Sequence, residues 1–556
     1  MNVRLTWVQP EDLITHELHQ ASEDGRDTTA IRARWQSAGG PPSPPPTGAS
    51  PTPAPPHLRT LAEQLLNDLS QLPTPTAQAE PTPLQAIRST CPTWPTKTAP
   101  TPVPTTVPGG NTPISSPHTP AHLPRHRGGD VPGRSPQGVE RNHRQRTNAV
   151  PERSTPEETP RRGTDPEATA TAPPGTAPET PATAPPNAPA NSAHPPRPEP
   201  AAAPLLTRLH AAWLGRAAGC LLGKPVEKLP LTAIRQLAAA TGNWPLQTWF
   251  TAQGVPRDLL ARHPWNRRSA PTSLAENING MPEDDDLNYP LLGLLLLQRH
   301  TKAFTITQLA NLWLDELPAG RTFTAERIAY RNLLLGLTPP QTATHHNPFR
   351  EWIGALIRAD IHGWMHPGNP AAAAEQAHRD ATLTHTANGV YGAMFIAATI
   401  AEAAAGTTDV HHCLRTGLTV VPPESRLAQA VRFGIATAAK ASRATFDTVV
   451  DELHATYGHH HWVHVLPNAA LIAAALTHAD GDFTGSICRA VSGGWDTDSN
   501  GATTGSIAGL LAGSPEAIPT HWTAPLRNRL ATSVAGFDGI GFDTLAHLTH
   551  TEALRP

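Results

Sequence analysis

Two stretches of this chain place glycine at every fourth position, and no other feature narrows the available folds as much. In Trp213-LGRAAGCLLGKPVE-Lys228 the glycines are Gly215, Gly219 and Gly223; in Asn500-GATTGSIAGLLAG-Ser514 they are Gly501, Gly505 and Gly509. A spacing of four puts each trio on one face of an α-helix. Glycine inside a helix costs about 1 kcal/mol relative to alanine, so six such positions need a compensating gain. Close backbone approach between packed helices supplies one, by analogy with small-residue seams in membranes. The intervening residues are mostly good helix formers, which argues against flexible loops.

Around these ridges the chain from Leu205 to Pro556 is rich in Ala and Leu and long enough to bury a sizeable core. Its segments are separated by turns containing Pro, Gly and His, with little period-two alternation. The expectation is an all-α, compact multi-helix domain over 205–556.

The chain upstream differs. Of the 63 prolines, 41 fall between Pro41 and Pro204. Chain of that composition cannot bury enough apolar surface to offset its ordering entropy. Residues 41–204 are therefore expected to be a Pro-rich disordered linker. Within it, Leu58, Leu61, Leu65, Leu69 and Leu72 share one helical face. That pattern predicts a helix over 57–72, either docked on the core or a partner, or merely nascent. Residues 1–40 form a small N-terminal segment: a short strand over Val3–Val8, then helix from Leu13 to Trp35 broken at Asp24-Gly25.

Net charge is −3, which carries no nucleic-acid signature, so a nucleic-acid partner is not expected. The arginine patch from Arg125 to Arg146 has no interleaved aromatic side chains and reads as solvated charge. Cys91, Cys220, Cys413 and Cys488 are scattered, with no C-x-x-C pair, so neither a disulfide framework nor a zinc knuckle is implied. A reducing, cytoplasmic location is expected. The start of the chain lacks the apolar core of a signal peptide, and the run Leu291–Leu297 is too short to span a bilayer. No membrane partner is expected.

The chemistry concentrates in two acidic clusters. The first is Pro282-EDDDLN-Tyr289, with Glu283, Asp284, Asp285 and Asp286 consecutive; the second is Gly493-GWDTDSN-Gly501, with Asp496, Asp498 and Ser499. Each precedes a predicted helix, where one acid or serine would serve as an ordinary N-cap. Four consecutive acids exceed that need, because like charges this close repel unless protons or a cation neutralise them. Carboxylate and hydroxyl oxygens suit hard divalent cations such as magnesium. Two such loops could bracket two metals about 3.5–4 Å apart.

Taken in order, Gly215-RAAGCLLGKPV-Glu227, Glu283-DDDLN-Tyr289, Thr384-His385 and Gly493-GWDTDSNGATTGSIA-Gly509 resemble the ADP-ribosylglycohydrolase family, over about residues 205–540. That family includes enzymes that remove ADP-ribose from arginine or serine on proteins. The resemblance implies an all-α domain and a binuclear Mg2+ site, with Mn2+ as the alternative ion. The family's Thr-Asp-Asp motif falls on Glu283-Asp284-Asp285 or on Asp284-Asp285-Asp286. Both registers put an acid where the family has Thr. The Asp-x-Asp-Ser/Thr motif is intact as Asp496, Asp498 and Ser499. Glu227 matches a family glutamate beside the reacting ribose, and His385 a histidine facing the substrate. The loop that wraps ADP-ribose corresponds to Ile353-GALI-Arg358, which carries over Gly354 and Arg358 but has Ile in place of Asn.

These matches imply Glu227 and Asp284 as acid/base groups, the acids of both loops with Ser499 as metal ligands, and His385, Gly354 and Arg358 as substrate contacts. Trp495 is a candidate for stacking on a base or ribose, Arg267 and Arg268 for pyrophosphate. His459, His460, His461 and His464 read as loop histidines rather than a metal cluster, and His464 and Asn468 as candidate cleft residues. The expected activity is hydrolysis of the glycosidic bond of an ADP-ribosyl group, on a protein or a small ADP-ribose conjugate. The alternatives are a non-catalytic ADP-ribose-binding module, a metal-dependent hydrolase of another nucleotide or glycoside, and an interaction protein acting through a partner of the Pro-rich arm.

Overall fold

The two glycine ridges meet each other. The computed structural model describes residues 4–44, 48–50, 52–95, 202–441 and 446–556. In it the helices Leu205–Gly223 and Thr497–Ala512 run antiparallel in direct backbone contact. A Cβ on Gly215 would collide with the Gly505 carbonyl, and one on Gly505 with the Gly215 carbonyl. Gly219 and Gly501 repeat the arrangement, and Gly509 lies on the Ala211 carbonyl. Any side chain at these positions would push the helices apart. The antiparallel seam brings the C-terminal end of one helix against the N-terminal end of the other, where Thr497 Oγ1 donates to the Gly223 carbonyl at 2.8 Å. The Gly223–Glu227 turn and the second acidic loop are thereby neighbours.

The architecture is all-α, as the composition implies. Among the described residues, backbone bridges outside the helices are isolated: Met281 with Leu530, Trp352 with His464, and Leu530 with Ile540. The helices Ala387–Ala405 and Val465–Ala479 form the centre; all 15 residues of the latter are buried. A helix that is apolar all round belongs in a core, and burying that surface drives the assembly. The helix Asp285–His300 is pinned to the seam by Arg216, which is wholly buried. Arg216 Nε donates to the Asp286 carbonyl at 2.7 Å, and its Nη1 lies 2.9 Å from Asp360. All four cysteines are free and buried, and no described helix is long and apolar enough to cross a membrane.

The N-terminal part departs from its sequence reading in two ways. Residues Arg4–Val8 make a turn rather than a strand, because Trp7 adopts a left-handed backbone (φ 65°) that breaks extended geometry. Helices Pro10–Glu23 and Thr29–Ser37 follow, interrupted around Asp24-Gly25. The expected disorder from residue 41 does not hold for residues 52–95. Helices Pro56–Ser70 and Leu84–Thr90 form there, and Leu58, Ala62, Leu65, Leu66 and Leu69 are buried. Pro56 occupies the first helical turn, where a missing N–H is harmless. The helix docks on Pro10–Glu23, and both share one apolar core with the C-terminal helices. The expectation of disorder over 96–201, and the arginine patch within it, lie outside the described residues.

Ion pairs, those of Arg350 buried, fix this segment to the C-terminal part of the chain. Arg350 reaches Glu17 at 2.8 Å and Asp24 at 2.6 Å, and Arg426 reaches Glu80 at 2.6 Å. Gln20 donates to Glu351 at 3.0 Å, and His460 Nδ1 lies 2.8 Å from Glu23.

Candidate active site

Both acidic loops open on one cavity of about 310 Å3. Its wall carries Glu227, Glu283, Asp284, Asp285, Asp496, Asp498 and Ser499, so residues more than 200 positions apart in sequence converge there. Each loop arrives as a helix N-terminus. Asp284 caps the helix Asp285–His300, its Oδ1 accepting the Asp286 N–H at 2.9 Å. Asp496 occupies the N-cap position of the helix Thr497–Ala512 without a side-chain capping bond, and its own N–H donates to Asn468 Oδ1 at 3.1 Å. Asn500 Nδ2 holds the same oxygen at 2.7 Å, so Asn468 braces the second loop from beneath.

The four acids of the first loop have different surroundings. Glu283 is half-buried, 2.6 Å from Arg321, and accepts from the Ser533 N–H at 3.1 Å. Asp284 pairs with the buried Lys224 ammonium. The Asp285 carboxylate has no hydrogen-bond partner among the described residues and lines the cavity. Asp286 turns away from it; Ser499 Oγ donates to its Oδ2 at 3.3 Å, and its Oδ1 is buried without a hydrogen bond. The acids facing the cavity are thus 283–285.

Burial, and then mutual repulsion, sets the electrostatics. Burial pushes Asp285, Asp286 and Asp496 well above the usual carboxylate range, and their acidic neighbours raise them further. Asp498 is pushed up to about 7 by burial and then by Glu227 and Asp284. Asp284 goes the other way: burial would raise it, but Lys224 outweighs that and holds it ionised. Lys224 is itself kept charged against its burial by Asp284. A buried cluster of this kind takes up protons or a cation. The carboxylate and hydroxyl oxygens lining the cavity and the unbonded Asp285 carboxylate fit a hard divalent cation.

Glu227 stands at the cavity beside this cluster. Asn266 Nδ2 donates to its Oε2 at 2.6 Å and Lys228 Nζ lies 2.6 Å from its Oε1. Arg268, weighed as a pyrophosphate contact, lines the same cavity.

The family-derived substrate residues divide. Gly354 lines the cavity, and a Cβ there would overlap the Glu326 carboxylate. Arg358 stays behind the wall. It is 2 % exposed, paired with Asp380 and, at 2.8 Å, with Glu326, and donates to the Gly354 carbonyl at 2.9 Å. His385 is fully buried, against Thr384 Oγ1 at 2.5 Å, and burial holds it neutral, well below the usual histidine range. Trp495 faces His454 in a stack 3.8 Å apart and braces the second loop outside the cavity lining. Of the histidine run, His460 and His464 face Glu23, and neither they nor Asn468 reach the lining. Lys224, Arg321, Phe323, Glu326, Trp462 and Trp7 line the cavity without having been singled out from sequence. Only Lys224 lay inside a motif already read as functional.

An all-α scaffold that holds two acidic helix starts over one cavity defines the class. The model of the ADP-ribosylglycohydrolase family matches residues 201–552, and the chain belongs to that family. A solved structure described as an ADP-ribosylglycohydrolase-related protein complex is similar at 19% identity and a TM-score of 0.38, covering 63% of this chain and 99% of that one. No curated protein matches the sequence.

Proposed function

We propose that this protein is a magnesium-dependent hydrolase of the glycosidic bond of an ADP-ribosyl group. One observation carries the reading: acids from two distant helix starts converge in one cavity, with too few internal cations to neutralise them. Asp284, Asp285, Asp496, Asp498 and Ser499, with Glu283 at the edge, would hold Mg2+, or Mn2+ in its place. The bound ion would supply Lewis-acid stabilisation of developing charge and a lowered pKa for water. Glu227 would serve in proton transfer, and the contacts of its two oxygens with Asn266 and Lys228 support that role. Asp284, tied to Lys224 and to its own helix, acts as a fixed anion rather than as the acid/base group. Arg268 and Arg321 give the cavity cationic donors suited to a pyrophosphate.

The acceptor carrying ADP-ribose is addressed by experiment. Arginine-, serine- and nucleic-acid-linked ADP-ribose are incubated in parallel with Mg2+ and with chelator. Release of ADP-ribose from at least one, abolished by chelator and reduced at least about a hundredfold in Asp498→Ala, is expected. Tight ADP-ribose binding with no release from any substrate would replace the reading with a non-catalytic binding module. A carboxylate at Glu283 and an ammonium at Lys224 inside the cavity favour one second reading, a hydrolase of a different nucleotide or glycoside. Turnover of free nucleotides in place of ADP-ribosyl conjugates would select it.

A further inference from the structure

Trp7 lies outside the span matched by the family, yet its indole lines the acidic cavity. Its placement is over-determined. The preceding residue is anchored by Arg327, whose Nη1 donates to Thr6 Oγ1 at 2.6 Å. Arg327 is next in sequence to Glu326, itself part of the cavity wall. The Trp7 N–H donates to the Gly48 carbonyl, and a Cβ on Gly48 would overlap the indole. Phe349 and Trp352 meet the ring edge-on at centroid distances of 5.4 and 5.9 Å. Trp7 has φ 65°, a left-handed conformation unfavourable for a bulky side chain. Backbone strain of this kind persists only where its surroundings enforce it, and it concentrates at ligand sites. The ring is nevertheless only half-buried.

The segment that carries Trp7 is a fixed wall. Its ion pairs to Arg350 are buried, at 2.8 and 2.6 Å. The same cavity therefore combines acidic groups, two arginines, and an aromatic surface made by Trp7, Phe323 and Trp462.

We propose that Trp7 is a specificity-determining residue that stacks on the nucleobase of a nucleotide-sugar substrate, so that the N-terminal segment completes the binding site. The proposal rests on the ADP-ribosyl reading above. Aromatic side chains stack on bases through the flat face, and losing such a contact weakens binding on the order of ten- to a hundredfold. A ligand without a base gains nothing from it.

The test is calorimetric binding to the full-length protein in Mg2+, with ADP-ribose and with ribose 5-phosphate as probes. Trp7→Ala and Trp7→Leu should each weaken ADP-ribose about ten- to a hundredfold and leave ribose 5-phosphate unchanged. Trp7→Phe should recover most of the affinity. Leu fills the aromatic box without offering a flat face, so it reports even where Ala loosens the segment. Unchanged ADP-ribose affinity in Trp7→Leu overturns the proposal, as does equal weakening of both ligands, which would make Trp7 a packing residue. Wild type that binds neither probe overturns the ADP-ribosyl reading itself, and this inference with it.

Discussion

The two acidic loops are built alike and neutralised differently. Both begin a helix, and both face one cavity. The first carries its own counter-cations: Lys224 on Asp284, Arg321 on Glu283, and Arg216 3.5 Å from Asp286. The second has no cation within ion-pair distance of Asp496 or Asp498 among the described residues; amides and the Thr497 hydroxyl hold it instead. The consequence is electrostatic. Asp284 stays ionised while Asp496 and Asp498 are pushed upward. The first loop brings shape and a partly balanced charge, and the second brings the unmet demand for a cation.

The largest expected break in this comparison is Lys224→Met. It leaves the Asp284 carboxylate buried and unpaired, and removing one partner of such a pair costs about 3–5 kcal/mol. The apoprotein should melt at clearly lower temperature, and Mg2+ should restore more stability to the variant than to wild type, because Asp284 then lacks a cation as Asp496 and Asp498 already do. Differential scanning calorimetry with and without Mg2+ reads this directly. A variant as stable as wild type, with the same response to Mg2+, would mean that the first loop is not balanced from within.

That lysine also marks what sequence could not convey. The glycine ridges were legible because a spacing of four admits few explanations, and the structure uses both for a single seam. The acidic loops were legible as helix starts with too much charge. Lys224, in a Gly-Lys-Pro turn, has no acidic partner that sequence proximity would suggest; Asp284 lies 60 positions on. The same long-range pairing withdraws Arg358 from the cavity: its partners Glu326 and Asp380 lie on other helices. Trp7 was hidden by the alternation of Val3–Val8, which mimics a strand. The helix Pro56–Ser70 was legible as a pattern, but proline density around it suggested disorder, and only the apolar face of Pro10–Glu23 resolves its docking.

An intermediate effect is expected from pH. In the folded protein burial, then Glu227 and Asp284, hold Asp498 at about 7, whereas an unfolded chain ionises aspartate near 4. Between those values the native state binds more protons than the unfolded one. Apoprotein stability should therefore be fully supported at low pH and decline as pH rises from about 4 through about 7. Bound Mg2+ displaces the proton and should flatten the decline, by several degrees in melting temperature at pH 8. A flat apoprotein profile, or a decline that Mg2+ leaves in place, would show that the second loop does not carry the unmet charge.

The smallest effect belongs to Glu283→Thr, which puts a neutral hydroxyl in place of the carboxylate at the edge of the first loop. Glu283 is half-buried and its partner Arg321 is 54% exposed, so their pair is worth about 0–1 kcal/mol. Stability should barely move. Mg2+ affinity, read by calorimetric titration, should fall about three- to tenfold, since one negative charge leaves the cavity wall while Asp285, Asp496 and Asp498 remain. A fall as deep as that caused by Asp498→Ala would make Glu283 an equal ligand, and the two loops would then depend on the cation alike.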